Sequence, residues 1–191
     1  QQDMISTRDT GWVQLIAENC QEILDLTIQG FRLAEDHDIQ LPVMINYDGY
    51  YLSFLAESVR IPGIDEVDDY LSVLTSQPQR PTLIPGQAIG CGSHGIAMGY
   101  VELRRRHMDA MERVKGKIEA IDAEFGQAFG RSYGGQVEAY KTGDADMVLV
   151  TSGSAVGTAR TMVDAKREQG IKVGLVKLRL FRPFPVQRLG E

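Results

Sequence analysis

The stretch Ala145-Asp146-Met147-Val148-Leu149-Val150-Thr151-Ser152-Gly153-Ser154 runs on through Val173-Gly174-Leu175-Val176-Lys177-Leu178 to Arg179-Leu180-Phe181-Arg182-Pro183-Phe184-Pro185, and its reading decides the fold. Met147–Thr151 is apolar and β-branched at the length of a buried strand. Ser152-Gly153-Ser154 turns the chain, and Ala155–Gln169 carries apolar residues at helical spacing until Gly170 stops it. Val173–Leu178 then reads as a second strand. A strand, a crossover helix and another apolar strand form a βαβ unit, so this end of the chain belongs to a parallel sheet covered by helices.

Working outward, the N-terminal end repeats the same logic. Trp12–Ala17 is an apolar run, Glu18-Asn19 makes a polar turn, and Gln21–Glu35 places Ile23, Leu24, Ile28, Phe31 and Leu33 or Ala34 on one helical face. Val43–Tyr47 is the next strand, introduced by Pro42. Asn19 is a helix cap, and Glu22 three positions on completes a capping-box arrangement. Between the two α/β pieces the pattern changes. Pro62-Gly63, Pro78, Pro81, Pro85-Gly86 and Gly90-Cys91-Gly92 punctuate short segments, with a helix predicted over Asp65–Leu74. Ile96–Phe129 reads as one long helix or two, and Gly130, Gly134 and Gly135 release the chain towards its last part.

Composition narrows the classes. The 191 residues are 43% hydrophobic, enough for a packed globular core, and the net charge of −6 argues against a nucleic-acid surface. The dense basic run Arg104-Arg105-Arg106-His107 sits among Glu102, Asp109 and Glu112, which reads as a solvated helix face with paired charges. Cys20 and Cys91 stand alone with no Cys-x-x-Cys spacing, so neither a zinc site nor an iron–sulfur cluster assembles here. Two isolated cysteines, no signal peptide and no long apolar run fit a reducing cytoplasm without membrane attachment.

Several local patterns invite chemistry. Gly90-Cys91-Gly92-Ser93-His94-Gly95 has the G-x-G-x-x-G spacing of a dinucleotide loop, but only a broken apolar run precedes it. Cys91 and His94 have the types of a thiol–imidazole pair without an orienting third group. Ser152-Gly153-Ser154 before a helix suits either an anion or a simple cap and turn. Arg179 and Arg182, beside Phe181 and Phe184, either reach a partner subunit or domain or pack their stems over the tail. Glu18 and Asn19 lie where a parallel strand hands over to its helix, and Asp48-Gly49 has the same position after the second strand. That edge is where α/β ligand sites form, so Glu18, Asn19 and Asp48 are the pocket-edge candidates, with capping and turn roles as the plain reading.

Ser6-Thr7-Arg8-Asp9-Thr10-Gly11-Trp12, then Glu18-Asn19 with Gln21-Glu22, Leu41-Pro42-Val43-Met44 and Asp48-Gly49-Tyr50, followed far downstream by the Leu178–Pro185 tail, resemble the α subunit of 2-oxoacid:ferredoxin oxidoreductases, pyruvate synthase among them. The resemblance implies an internal fragment of α/β class in three parts. Residues 1–63 would be the rear of a parallel-sheet domain of the type that binds the pyrimidine of thiamine diphosphate. Residues 64–143 would be a connector with the long helix or helices, and 144–191 the first βαβ unit of a domain similar to the C-terminal domain of transketolase. Many relatives carry a His shortly after Asp-Gly-aromatic, where this chain has Tyr51-Leu52-Ser53-Phe54.

The implied activity is thiamine-diphosphate-dependent, coenzyme-A-linked oxidative decarboxylation of a 2-oxoacid, pyruvate first, or its reverse. The complete enzyme would hold thiamine diphosphate and Mg, with iron–sulfur clusters on partner domains or subunits. Its partners would be the thiamine-diphosphate/iron–sulfur subunit, gamma- and delta-type subunits, ferredoxin and coenzyme A, in anaerobic metabolism. No catalytic side chain and no metal ligand is assigned to this stretch. A transketolase-like or 2-oxoacid-dehydrogenase-like thiamine enzyme without iron–sulfur electron transfer is the alternative. A non-enzymatic nucleotide-binding or assembly module is a third reading.

Overall fold

A computed structural model describes residues 2–76, 84–86 and 99–191. Its α/β character follows from two βαβ units. In the first, β1 (Val13–Ile16) leads through α2 (Cys20–Glu35) into β2 (Val43–Asn46), and the strands pair in parallel with Val13 opposite Val43 and Ile16 opposite Asn46. A short α1 (Gln2–Ser6) precedes them. In the second, β4 (Met147–Thr151) leads through α5 (Ala155–Glu168) into β5 (Val173–Leu178), again parallel, with Met147 opposite Val173. Both units stand where the apolar runs predict them, to within a residue or two at each end.

Between them lie α3 (Ile64–Leu71), a 3-10 turn over Ser72–Ser76, and α4 (Tyr100–Phe129). The predicted helix over Asp65–Leu74 is thus an α-helix that tightens in its last turn. From Tyr100 to Phe129 the chain is one unbroken helix, and Gly130 ends it in the left-handed region at φ 68°. The Gly90–Gly95 loop, with Cys91 and His94, lies outside the described residues.

Two strands were not predicted. β3 (Val137–Tyr140) pairs antiparallel with β5, giving a sheet of order β3-β5-β4. β6 (Leu180–Arg182) starts one residue after β5 ends, yet it pairs antiparallel with β1 in the other sheet, of order β2-β1-β6. The backbone crosses at Arg179, whose C=O accepts from Ile16 N–H at 2.8 Å while its own N–H donates to Gln136 O at 3.2 Å. The expectation of purely parallel pairing therefore holds for the two βαβ units and not for these two flanking strands. The tail is instead a stitch between two sheets of one chain.

The main core gathers Val13, Leu15 and Ala17, the inner face of α2 through Leu26 and Leu33, Val114, Ile118 and Ile121 of α4, and Leu180 of β6. On α2 the buried stripe is Leu26, Ile28, Gly30 and Leu33, and Phe31 is 58% exposed, so the predicted face is rotated away from Phe31. Ile28, Tyr70 and Phe125 make a second cluster that fastens α3 between α2 and α4. Under α5 the core is small: Val156, Ala159, Val163, Val173 and Leu175.

β4 is an edge strand, and Met147, Val148, Leu149 and Val150 are all exposed, so the helical cover expected on both faces is missing from this strand. An open apolar edge pairs readily with other chains. Val148→Lys is expected to raise the soluble fraction of this 191-residue chain expressed by itself, read by light scattering. An unchanged monomer fraction would show that the strand is not the source of association.

Candidate functional site

β1 and β2 run in parallel, so the segments leaving them, Ala17-Glu18-Asn19 and Tyr47-Asp48-Gly49, emerge side by side. Ala17 N–H donates to Asn46 O at 2.9 Å and carries the pairing one step past the strand end. The three candidate residues are therefore brought to one edge. Each has a partner within the chain.

Asn19 takes an extended backbone, and its Oδ1 accepts from Glu22 N–H at 2.9 Å, as a helix cap should. Glu22 does not complete a capping box with the Asn19 amide; its Oε2 accepts from Glu18 N–H at 2.7 Å. Asn19→Ala is expected to destabilise the chain by about 1 kcal/mol through loss of the cap. Thermal unfolding beside the wild type measures this, and an unchanged midpoint would remove the cap from the account.

Asp48 reaches across to the other βαβ unit. Its Oδ2 accepts from Ser154 N–H at 2.8 Å and from the Ser154 hydroxyl. The Ser152-Gly153-Ser154 turn thus does meet an anion at a helix N-terminus, and the anion is a carboxylate of the same chain. The free amides and the dipole of α5 favour that negative charge.

Glu18 belongs to a buried ionic cluster that the sequence did not reveal. Its carboxylate receives Arg160 Nη1 at 2.6 Å and Lys177 Nζ at 2.9 Å. Lys177, 1% exposed, also lies 2.8 Å from Glu22 and 3.5 Å from Glu138. Arg160 joins Glu138 at 2.8 Å. Arg179 is fully buried between Glu22 at 3.2 Å and Asp122 at 3.1 Å, and it donates to Gln29 Oε1 and Gly135 O, each at 2.8 Å. Both cations also face the ring of Tyr133. Tyr133 donates to Asp25, which Arg131 clamps at 2.7 and 2.9 Å. Burial, and then the Asp25 carboxylate, push the Tyr133 hydroxyl well above its ordinary value, so it stays a proton donor.

Paired ions of this kind survive burial because every charge meets an opposite one with hydrogen-bond geometry. The only trace in the sequence is that Lys177 and Arg179 alternate with Leu178 and Leu180 in an otherwise apolar run, which puts both charges on one face of a strand. Asp122, in the last third of α4, accepts from Ser132 Oγ and from the amides of Tyr133 and Gly134, holding the glycine turn to α4. Chemically the edge is a seam. Its acids and bases are engaged with each other, and among the described residues no group of His, Cys, Asp and Glu is placed to hold a metal ion. Nor do Glu18, Asn19 and Asp48, so engaged, make a site for a diphosphate and its cation.

A thiamine-diphosphate-binding family model, pyruvate flavodoxin/ferredoxin oxidoreductase, matches residues 1–123. A second, pyruvate:ferredoxin oxidoreductase core domain II, matches residues 145–191. Together with the fold, these matches define the class: an α/β chain that carries two successive domain models of one family. The chain belongs to the pyruvate flavodoxin/ferredoxin oxidoreductase family. It is 43% identical to the pyruvate synthase subunit PorA of Pyrococcus furiosus, over 100% of this chain and 47% of that protein. To the corresponding subunit of Methanocaldococcus jannaschii it is 41% identical, over 100% of this chain and 49% of that one. To the NADH-dependent phenylglyoxylate dehydrogenase subunit alpha of Aromatoleum evansii it is 36% identical, over 98% and 46%. The chain thus spans about half the length of these relatives. In fold it resembles 2-oxoglutarate:ferredoxin oxidoreductase from Magnetococcus marinus, a structure with 2-oxoglutarate, coenzyme A and succinyl-CoA bound. That likeness has a TM-score of 0.56 at 18% identity, over 93% of this chain and 32% of that one.

Proposed function

We propose that the chain is part of the α-type subunit of a 2-oxoacid:ferredoxin oxidoreductase, with pyruvate as the first substrate to test. The observation that carries this is the match of two successive family models in family order along one chain. The overall reaction joins a 2-oxoacid and coenzyme A, releases carbon dioxide, forms the acyl thioester and passes two electrons singly to ferredoxin. In the complete enzyme, thiamine diphosphate with Mg would supply the carbanion chemistry, and iron–sulfur clusters on partner domains or subunits would accept the electrons. The partners we propose are the thiamine-diphosphate/iron–sulfur subunit, gamma- and delta-type subunits and ferredoxin, in the cytoplasm. Among the described residues no helix is long and apolar enough to cross a membrane.

In this reading the chain's own residues act as framework. With the chain divided into 1–63, 64–143 and 144–191, the ionic cluster draws on all three parts, Glu18 and Glu22 from the first, Asp122 and Glu138 from the second and Arg160, Lys177 and Arg179 from the third, with Glu18, Asn19 and Asp48 as positioning residues on that edge. Asp48 anchors the N-terminus of α5, and Glu18 ties Arg160 and Lys177 to β1. No step of the reaction is routed through these side chains.

The test uses the complete reading frame, co-expressed with its neighbouring genes under anaerobic conditions. Viologen reduction is followed with pyruvate, 2-oxoglutarate, branched 2-oxoacids and phenylglyoxylate, with and without coenzyme A. Coenzyme-A-dependent reduction with one acid is the expected result and names the substrate. A purified complex with thiamine diphosphate and intact clusters that reduces no dye overturns the proposal in favour of a cluster-independent thiamine enzyme.

A further inference from the structure

Three sequence features that the proposed activity leaves unused meet around one cavity of about 310 Å³. They are the Arg8–Gly11 loop, the basic run of α4, and the tail that leads from β6 into α6 (Val186–Gly190). The basic run divides. Arg105 and Arg106 pair with Glu102 at 3.0 and 2.8 Å, which holds that carboxyl at about 2, so the solvated-face reading is right for them. Arg104 and His107 face the cavity instead.

On α4 the cavity wall reads Arg104, Met108, Met111, Lys115, a helical stripe with a cation at each end and two thioethers between. Opposite stand Arg8, Arg182 and Phe184. The charges do not cancel. Asp9 serves both Arg8 at 3.6 Å and Arg182 at 3.5 Å, and Glu112 serves Lys115 at 2.7 Å. Four cations thus face two carboxylates, and Arg104 has no acceptor among the described residues.

His107 adds a second unsatisfied group. Its Nε2 lies 2.9 Å from Gly11 O, and a carbonyl can only accept, so Nε2 carries the proton. Nδ1 is buried and has no hydrogen-bond partner among the described residues. Glycine at position 11 makes this approach possible: its φ is +93°, and a Cβ there would fall 2.7 Å from His107 Nε2.

We propose that this cavity binds a small organic oxyanion, a carboxylate or phosphate on a short apolar body, with Arg104 as its charge partner. The guanidinium fork suits two oxygens of one head group. Met108, Met111 and Phe184 give the body an apolar floor, and the volume fits a ligand at the small end of the usual range. The inference does not depend on which reaction the complete enzyme performs.

The test is calorimetric titration of the purified full-length complex with phenyl phosphate, benzoate and the neutral benzyl alcohol. Wild type is expected to bind at least one anion saturably, more weakly as salt rises, and to ignore the alcohol. The preferred anion identifies the head group. Arg104→Gln should weaken binding about tenfold and Arg104→Glu further, as loss of a charged hydrogen bond predicts. Arg105→Gln, made on the paired side of the helix, should leave it unchanged. Melting curves show whether each variant stays folded, which the lack of partners for Arg104 among the described residues favours. No saturable binding of either anion, as when an acidic side chain of a neighbouring subunit fills the cavity, overturns the proposal. So does R104E that binds as wild type, or benzyl alcohol that binds as well as the anions.

Discussion

Arg179→Met is expected to destabilise the full-length subunit by about 3–5 kcal/mol, because removing one member of a buried ionic cluster strands its partners without water. Glu22 and Asp122 would each lose a guanidinium, and Gln29 Oε1 and Gly135 O would lose their donors. A methionine fills much of the volume but satisfies none of these acceptors. The same change at Arg106, whose side chain is 74% exposed, should stay within about 0.5 kcal/mol. Urea unfolding of both variants, followed by limited proteolysis, separates the two cases. Equal midpoints for the two would show that the cluster does not hold the sheets together. The expected first cleavages fall near Gln136 and Ile16, where the backbone of Arg179 bridges the sheets.

Phe125→Ala should have an effect of similar size, about 3–5 kcal/mol, from lost transfer energy and the cavity left behind. Phe125 is fully buried and packs edge-on against Tyr70 with ring centroids 5.5 Å apart, and against Phe129 at 4.4 Å. Tyr70 in turn donates to Ile121 O at 3.1 Å, so the aromatic cluster fixes α3 on α4. Burial pushes the Tyr70 hydroxyl well above its ordinary value, which keeps this donor protonated. Phe31→Ala, at a position 58% exposed, should fall below about 0.5 kcal/mol. Thermal melts of the two alanine variants check the contrast. A larger loss at Phe31 would mean that the helix buries the face its hydrophobic spacing first suggested.

These contrasts mark how far local pattern reaches. Phe31 satisfies the helical spacing as well as Leu26 does, and periodicity alone cannot fix the rotation of a helix whose apolar stripe is broad. Arg104 and Arg106 are chemically identical neighbours in one charged run. Only the packing of α4 beside the Arg8–Gly11 loop and the tail makes one of them a cavity wall and leaves the other paired to Glu102. Asp48 and Ser154 are 106 positions apart, and nothing in either neighbourhood announces their hydrogen bond.

The sequence by itself determined both βαβ units, the Asn19 cap, a long helical stretch ending at Gly130 that it left as one helix or two, and the family, because each rests on short-range regularities: strand-length apolar runs, helical spacing, glycine stops and ordered motifs. Tertiary structure alone decided that the chain leaves one sheet at Leu178 and enters the other at Leu180, and that Lys177 and Arg179 are buried rather than solvated. It also decided that the carboxylate at Asp48 caps a helix of the opposite unit. These outcomes depend on which charges find partners across long separations in sequence, and a buried charge is stable only where such partners arrive together.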